Sequence, residues 1–167
     1  KKLNKQVPKE QTYKVLETQE MYKDFRMITK GENRAKYSIN LVSPVEFPEK
    51  DLPIDPYVLG ALLGDGTITD NIIAITSVDM DLVNKVEKGL KKNFNGCDIS
   101  HRKDGKTHNI TKSNELKESL KKLNILNTYS NTKFIPEEYL FASAEQRWEL
   151  LRGLLDTDGS VGKLGRY

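Results

Sequence analysis

Two nine-residue stretches of this chain repeat one design: Val58-Leu-Gly-Ala-Leu-Leu-Gly-Asp-Gly66 and Leu151-Arg-Gly-Leu-Leu-Asp-Thr-Asp-Gly159. Each reads as an apolar helix built on small residues that ends at an Asp-Gly pair. Gly60 and Gly64 stand four apart and so share one helix face, and Gly153 and Thr157 hold the matching places in the second copy. Small residues at that spacing let two backbones come close. The simplest outcome is core packing, and the apolar stretch is too short for a membrane dimer motif. The Asp-Gly ends add something else. A helix C-terminus carries partial negative charge, so a carboxylate there is disfavoured by roughly 0.3–1 kcal/mol. Two such carboxylates, Asp65 and Asp158, at one helix crossing intensify the conflict, and a divalent cation removes it. Oxygen ligands with retained waters suit Mg²⁺ or Mn²⁺.

The chain has 167 residues, 37% hydrophobic and 31% charged, enough to bury a core. No apolar run approaches the ~20 residues of a membrane span. The single cysteine, Cys97, allows no internal disulfide and fits a reducing compartment. Net charge is +3 and uneven, with 11 Lys/Arg against 7 Asp/Glu in residues 1–50 and 16 against 17 in residues 51–167. That surplus alone does not separate nucleic-acid binding from simple solubility.

Alternation predicts short strands at Thr12–Leu16 and Ala35–Val42, with a short helix between them at 17–26. Pro44, Pro48 and Pro53 mark an extended connector. Asp55-Pro56 reads as an N-cap followed by proline at the first helical position, and Gly64 and Gly66 end that helix. Asp70-Asn71 predicts a hairpin between Thr67–Thr69 and Ile72–Thr76. Asp79 caps a helix with Val83, Val86, Leu90 and Phe94 on one side. Asp104-Gly105 predicts a second hairpin between Cys97–Arg102 and Lys106–Thr111. Ser113 is the expected cap of a third helix carrying Leu116, Leu120 and Leu123. Lys133-Phe-Ile-Pro136 reads as an extended link. Ser143 and Gln146 form a capping box that opens the helix of the second motif. Asp156-Thr-Asp158-Gly-Ser160 begins like a calcium loop, but Val161 and Tyr167 stand where that loop needs Gly and Glu.

Read with their spacing, the two stretches resemble the signature motifs of the LAGLIDADG homing endonucleases, and their separation fits a single-chain member with two repeats. The flanks LPIDPYVLGALLGDGT and TKFIPEEYLFASAEQRWELLRGLLDTDGSV resemble the endonuclease domains embedded in bacterial and phage inteins. The resemblance spans about residues 45–160. It implies an α/β (α+β) fold with αββαββα repeats about a pseudo-twofold axis. It also implies an N-terminal, intein-derived extension over 1–50, a first repeat over 51–142, and the start of a second over 143–167. The implied activity is divalent-metal-dependent, site-specific cleavage of double-stranded DNA inside the cell, with no membrane partner. Asp65 and Asp158 would be catalytic and would hold the metal, assisted by the carbonyls of Gly64 and Thr157. The lysine that intein members carry near the cleavage centre maps to Lys133.

The two hairpins would supply half of a curved sheet lying in the major groove, which admits a β-ribbon. Outward candidates for DNA contact are Thr67, Thr69, Thr76, Ser100, Arg102, Lys103, Lys106 and His108. Leu63 stands where many relatives carry an acid. The chain stops soon after the second motif and lacks the N-terminal Cys/Ser and terminal His-Asn of a splicing intein. A fragment of a longer protein is therefore expected, with self-association through the motif helices open to it. The alternatives are a non-cleaving DNA- or RNA-binding protein on the same fold and an inactive endonuclease remnant.

Overall fold

The computed structural model describes residues 15–38 and 42–159. The chain divides into two units, Lys1–Ser43 and Pro44–Tyr167.

In the first unit a single-turn helix, α1 (Thr18–Lys23), precedes a hairpin of β1 (Arg26–Thr29) and β2 (Glu32–Ala35). The strands pair antiparallel from Arg26↔Ala35 to Thr29↔Glu32. The turn between them falls on Lys30 and Gly31, both at positive φ (52° and 81°). Asp24 closes the unit by accepting from Lys36 Nζ and, at 2.6 Å, from the Tyr37 hydroxyl. The helix lies inside the predicted 17–26 window. Of the strand expected at 35–42, only Ala35 is a strand residue; positions 36–38 and 42 are irregular and 39–41 lie outside the described residues. Of the strand expected at 12–16, Val15 and Leu16 are irregular and the rest lies outside the described residues. A tight turn at Lys30-Gly31 captured the pairing that alternation had assigned further along.

The second unit is mixed α and β around one hydrophobic core. Its elements are α2 (Pro56–Asp65), β3 (Gly66–Ile68), β4 (Ile73–Thr76), α3 (Met80–Asn93), β5 (Asp98–His101), β6 (Thr107–Thr111), α4 (Asn114–Lys122), α5 (Glu137–Leu140) and α6 (Ala144–Asp158). Local chemistry fixes most of these boundaries. The Asp55 carboxylate accepts from Tyr57 N at 3.0 Å, with Pro56 in the first turn. Asp79 caps α3 through Asp81 N at 2.9 Å. In the β5–β6 turn Asp104 accepts from Lys106 N and Thr107 N at 3.0 and 2.8 Å, and Gly105 takes φ 70°. The Ser143–Gln146 capping box forms as expected. Gln146 also clamps the connector, accepting from Lys50 N at 3.1 Å and donating to Lys50 O at 2.6 Å. Ser113, expected to cap α4 with its hydroxyl, makes no such bond. The extended link expected over residues 133–136 has no helix or strand, and the short α5, which was not foreseen, begins directly after it. It carries Tyr139, whose buried hydroxyl donates to Ile54 O (2.8 Å) and accepts from Ile54 N (3.1 Å).

The four strands form an antiparallel sheet in the order β3-β4-β6-β5. One face is apolar: Ile68, Ile73, Ile75 and Ile110 are buried against the helices. Amphipathic α3 and α4 pack through Leu82, Val83, Val86 and Leu90 and through Leu116 and Leu120. Seven consecutive residues of α2, Tyr57–Leu63, are buried. A helix apolar all round must be covered on every side, and α2 lies against the sheet, α3 and α6. Among the described residues no helix is long and apolar enough to cross a membrane.

Candidate functional site: the paired helix ends

Helices α2 and α6 run parallel and meet at their small residues. A Cβ added to Gly60 would stand 2.2 Å from Leu150 O and 3.1 Å from Gly153 Cα. One added to Gly153 would stand 2.2 Å from Tyr57 O and 2.8 Å from Ala61 N. Backbone therefore rests on backbone at this crossing. One turn on, a Cβ at Gly64 would lie 2.0 Å from Thr157 Oγ1 and 3.4 Å from Asp158 Oδ2. The Thr157 hydroxyl is turned back onto the carbonyls of Gly153 and Leu154, both at 3.0 Å, and so fills the space a larger residue at 64 would need. The small residues thus meet their counterparts, Gly60 with Gly153 and Gly64 with Thr157, and the two helices end side by side on Asp65 and Asp158.

A lysine joins them. Lys133 follows a turn in which Thr132 N and Lys133 N donate to Tyr129 O. Its half-buried ammonium donates to Gly66 O (2.6 Å), Leu62 O (2.9 Å) and Gly64 O (3.3 Å), the carbonyls at the end of α2. It thus sits at the negative pole of that helix. Partial desolvation, then repulsion from Asp158, raises the Asp65 carboxyl above the usual carboxylate range, while Lys133 opposes the rise. Burial lowers the Lys133 ammonium, and Asp158 and Asp65 partly offset that. The three groups form one electrostatic unit. The Gly64 carbonyl, named above as a metal ligand, is already in use by Lys133. Asp65 and Asp158 provide hard oxygen donors, and two carboxylates suffice for a cation that keeps most of its waters. Among the described residues no three His, Cys, Asp or Glu side chains converge on a common point.

The second sheet face is polar. Register places Thr67, Ala74, Asn109 and Ser100 in one row across all four strands. Thr76 and Thr107 lie in the next, extended by Arg102, whose N–H donates to Thr107 O at 2.9 Å. Thr67, Thr76, Ser100 and Arg102 are exposed on this face, and Lys103 and Lys106 are exposed in the β5–β6 turn. Thr69 is half-buried, with its hydroxyl bonded to Ile72 N and O in the β3–β4 turn. His108 corrects the expectation. It is 2% exposed and points to the core side, with Nε2 2.9 Å from Ser77 O and Nδ1 2.7 Å from Nδ1 of His101. Because a carbonyl only accepts, Nε2 of His108 carries its proton and Nδ1 is left to accept from His101. Ile110, two residues on, sets the inward phase of β6 and carries His108 in with it. Asn109, unnamed above, takes the outward place.

A second constellation lies beside the same helices. Tyr57 OH donates to Asp156 Oδ2 at 2.8 Å, and Lys85 Nζ reaches the same oxygen at 3.1 Å. Burial and this carboxylate push the Tyr57 phenol well up. Burial opposes ionisation of Asp156, but its two donors prevail and hold it below the usual range. These residues border a cavity of about 710 Å³ that is also lined by Asp55, Lys88, Lys92 and Arg152. No sequence signal marked it, since Tyr57 and Asp156 lie 99 positions apart.

The two motif helices are equivalent in sequence but not in burial. Val58 and Leu62 are 0% exposed, whereas their counterparts Leu151 and Leu155 are 39% and 43% exposed.

No family model matches the chain. It is 31% identical over 130 residues to a replicative DNA helicase DnaB of Mycobacterium intracellulare, a match covering 78% of this chain and 18% of that protein. The chain thus spans less than a fifth of that relative's length.

Proposed function

We propose that the second unit is a LAGLIDADG-type repeat and that the chain belongs to an intein-borne endonuclease cutting specific sites in double-stranded DNA. One observation carries the reading: α2 and α6 pack in parallel, glycine to glycine, and deliver Asp65 and Asp158 to one point. Supporting it are the four-stranded sheet that starts one residue beyond Asp65 and the polar outer face of that sheet. The exposed Leu151 and Leu155 suit a helix with a face left for a second sheet, whereas α2, whose Val58 and Leu62 are buried, already lies against the first. The similarity to a segment of a DNA helicase fits an insertion within a replication protein. The chain itself does not carry the P-loop of a nucleotide-driven motor, because Gly105-Lys106-Thr107 has Ser100 where that motif needs glycine.

In this reading Asp65 and Asp158 would hold Mg²⁺ or Mn²⁺. When bound, the ion would polarise the phosphodiester and supply a water of lowered pKa. The Lys133 ammonium holds the end of α2 in place and adds positive charge where negative charge develops on phosphate oxygens. The outer face of β3-β4-β6-β5 lies in the major groove, and Lys103 and Lys106 reach backbone phosphates.

The test incubates the chain with a randomised duplex library and Mg²⁺, then sequences new ends. Recurrent cuts are expected, lost with EDTA and lost in Asp65→Asn and Asp158→Asn. Undiminished cutting by both variants would overturn the catalytic assignment.

A further inference from the structure

We infer that the cavity beside Tyr57 and Asp156 binds a nucleotide, its phosphates on Lys88 and Lys92 and its sugar hydroxyls on Asp156. The inference does not depend on the DNA-cleavage reading. The cavity measures about 710 Å³ and is bordered by the first turn of α2, by α3 and by α6. Sites of about 300–1,000 Å³ take small molecules, and a lone inorganic ion would fill little of this one. The Lys85–Asp156 pair is the single ion pair that joins α3 to α6 among the described residues. The carboxylates of the lining already have partners. Asp55 accepts from Tyr57 N, Asp156 from Tyr57 OH and Lys85 Nζ, and Glu149 is paired with Arg152. Lys88 and Lys92 differ. Neither makes an ion pair or a side-chain hydrogen bond among the described residues, whereas on the same helix Lys85 is paired with Asp156 and Lys91 with Glu87 and Asp98. Four positions apart, Lys88 and Lys92 share one helix face, where like charges repel.

An anion held by both ammonium groups relieves that repulsion, and phosphate oxygens suit them because lysine offers only donors and a full charge. Asp156 sets a second requirement. Both of its donors use Oδ2, and Oδ1 accepts no hydrogen bond among the described residues. An ionised carboxylate repels phosphate and accepts from hydroxyls. A simple anion answers the lysines and leaves Asp156 facing a like charge. A ligand with phosphates at one end and neighbouring hydroxyls at the other answers both. Dinucleotide sites divide the work in the same way, with an acidic side chain on the ribose hydroxyls and the phosphates held elsewhere.

Titration of the chain with ADP, followed by calorimetry and by the rise in Tm, tests this. EDTA is present, so that no divalent ion bridges ligand and protein. ADP should bind and raise the Tm in a dose-dependent way. Pyrophosphate, which has only the phosphates, and adenosine, which has only the hydroxyls, should each bind roughly tenfold or more weakly. Lys88→Gln with Lys92→Gln should weaken ADP by a similar factor, and Asp156→Asn should weaken ADP but not pyrophosphate. Lys121→Gln with Lys122→Gln, on α4, should change nothing. Urea midpoints show that the variants fold. No binding of ADP by the wild type overturns the inference, and so does ADP binding that survives the change at Lys88 and Lys92 or falls equally with that at Lys121 and Lys122. Pyrophosphate binding as tightly as ADP overturns the nucleotide assignment. Each of these failures leaves the DNA-cleavage reading standing.

Discussion

Replacing Gly153 with alanine tests the helix crossing on which the paired acids depend. Helix propensity favours the change by about 0.8–1 kcal/mol, so the sign of the result is informative. The new Cβ would lie 2.2 Å from Tyr57 O and 2.8 Å from Ala61 N, both backbone atoms that no side-chain rotation can move aside. A carbon–oxygen contact rests at roughly 3.3 Å, so the helices must separate by about 1 Å. A gap of that size forfeits a quarter to a half of each dispersion well, at ~0.1–0.2 kcal/mol per atom pair. Over the equivalent of one leucine's contacts, roughly 40 pairs, that is about 1–4 kcal/mol, in line with the usual cost of overpacking, about 1–3 kcal/mol. With the propensity gain deducted, the expected net loss is about 2 kcal/mol, or roughly 4–8 °C in Tm for a chain of this size. Urea unfolding and a thermal melt read it directly. Gly60→Ala should behave alike, and the double variant should cost less than the two together, because the first substitution has already parted the helices. A Gly153→Ala protein as stable as wild type, or more so, would refute backbone-on-backbone packing.

Asp65→Asn should raise stability at neutral pH. The folded state lifts this carboxyl's pKa, so the penalty is absent below the unfolded value of ~3.9 and grows as pH rises through the folded one. Melts at pH 7 and pH 3 should show the advantage only at pH 7, and Mg²⁺ should raise the Tm of wild type but not of the variant. Lys133→Met should cost about 1–3 kcal/mol by uncovering the carbonyls at the end of α2, measured by urea midpoint. Tyr139→Phe leaves both polar groups of Ile54 unpaired in the core and should cost about 2–3 kcal/mol. Burial raises the Tyr139 phenol, so wild-type stability should fall above pH 10, where the phenol would ionise on unfolding, and the Phe variant should lack that alkaline limb.

From Asp55 onward most of the fold was legible in the sequence, because its boundaries are set by neighbours. Asp55-Pro56, Asp79, Asp104-Gly105 and Ser143 with Gln146 each act within a few residues. The first unit was less legible, since its turn rests on a Lys-Gly pair with no strong composition signal and its strands bury nothing on a described face. At the site, the acids and their shared helix end followed from the repeat, and Lys133 from resemblance. The three carbonyls that Lys133 engages come from a segment nearly 70 positions away, which no local rule reaches. His108 was assigned to the wrong side because Thr-His-Asn-Ile-Thr alternates acceptably in either phase; the core decides through Ile110.

The two acids are separated in the chain by the whole sheet, three other helices and their loops, yet the fold brings their helix ends side by side. Contacts that distant are among the last to form, since the loop they close is long. On the ribosome, Asp65 emerges and its sheet can fold well before α6 exists. Assembly of the paired helix ends therefore doubles as a completion signal: a nascent or prematurely terminated chain holds a single one of the two carboxylates and a lysine, not the pair. Whatever chemistry the pair performs is withheld from an unfinished polypeptide by the order in which it is made.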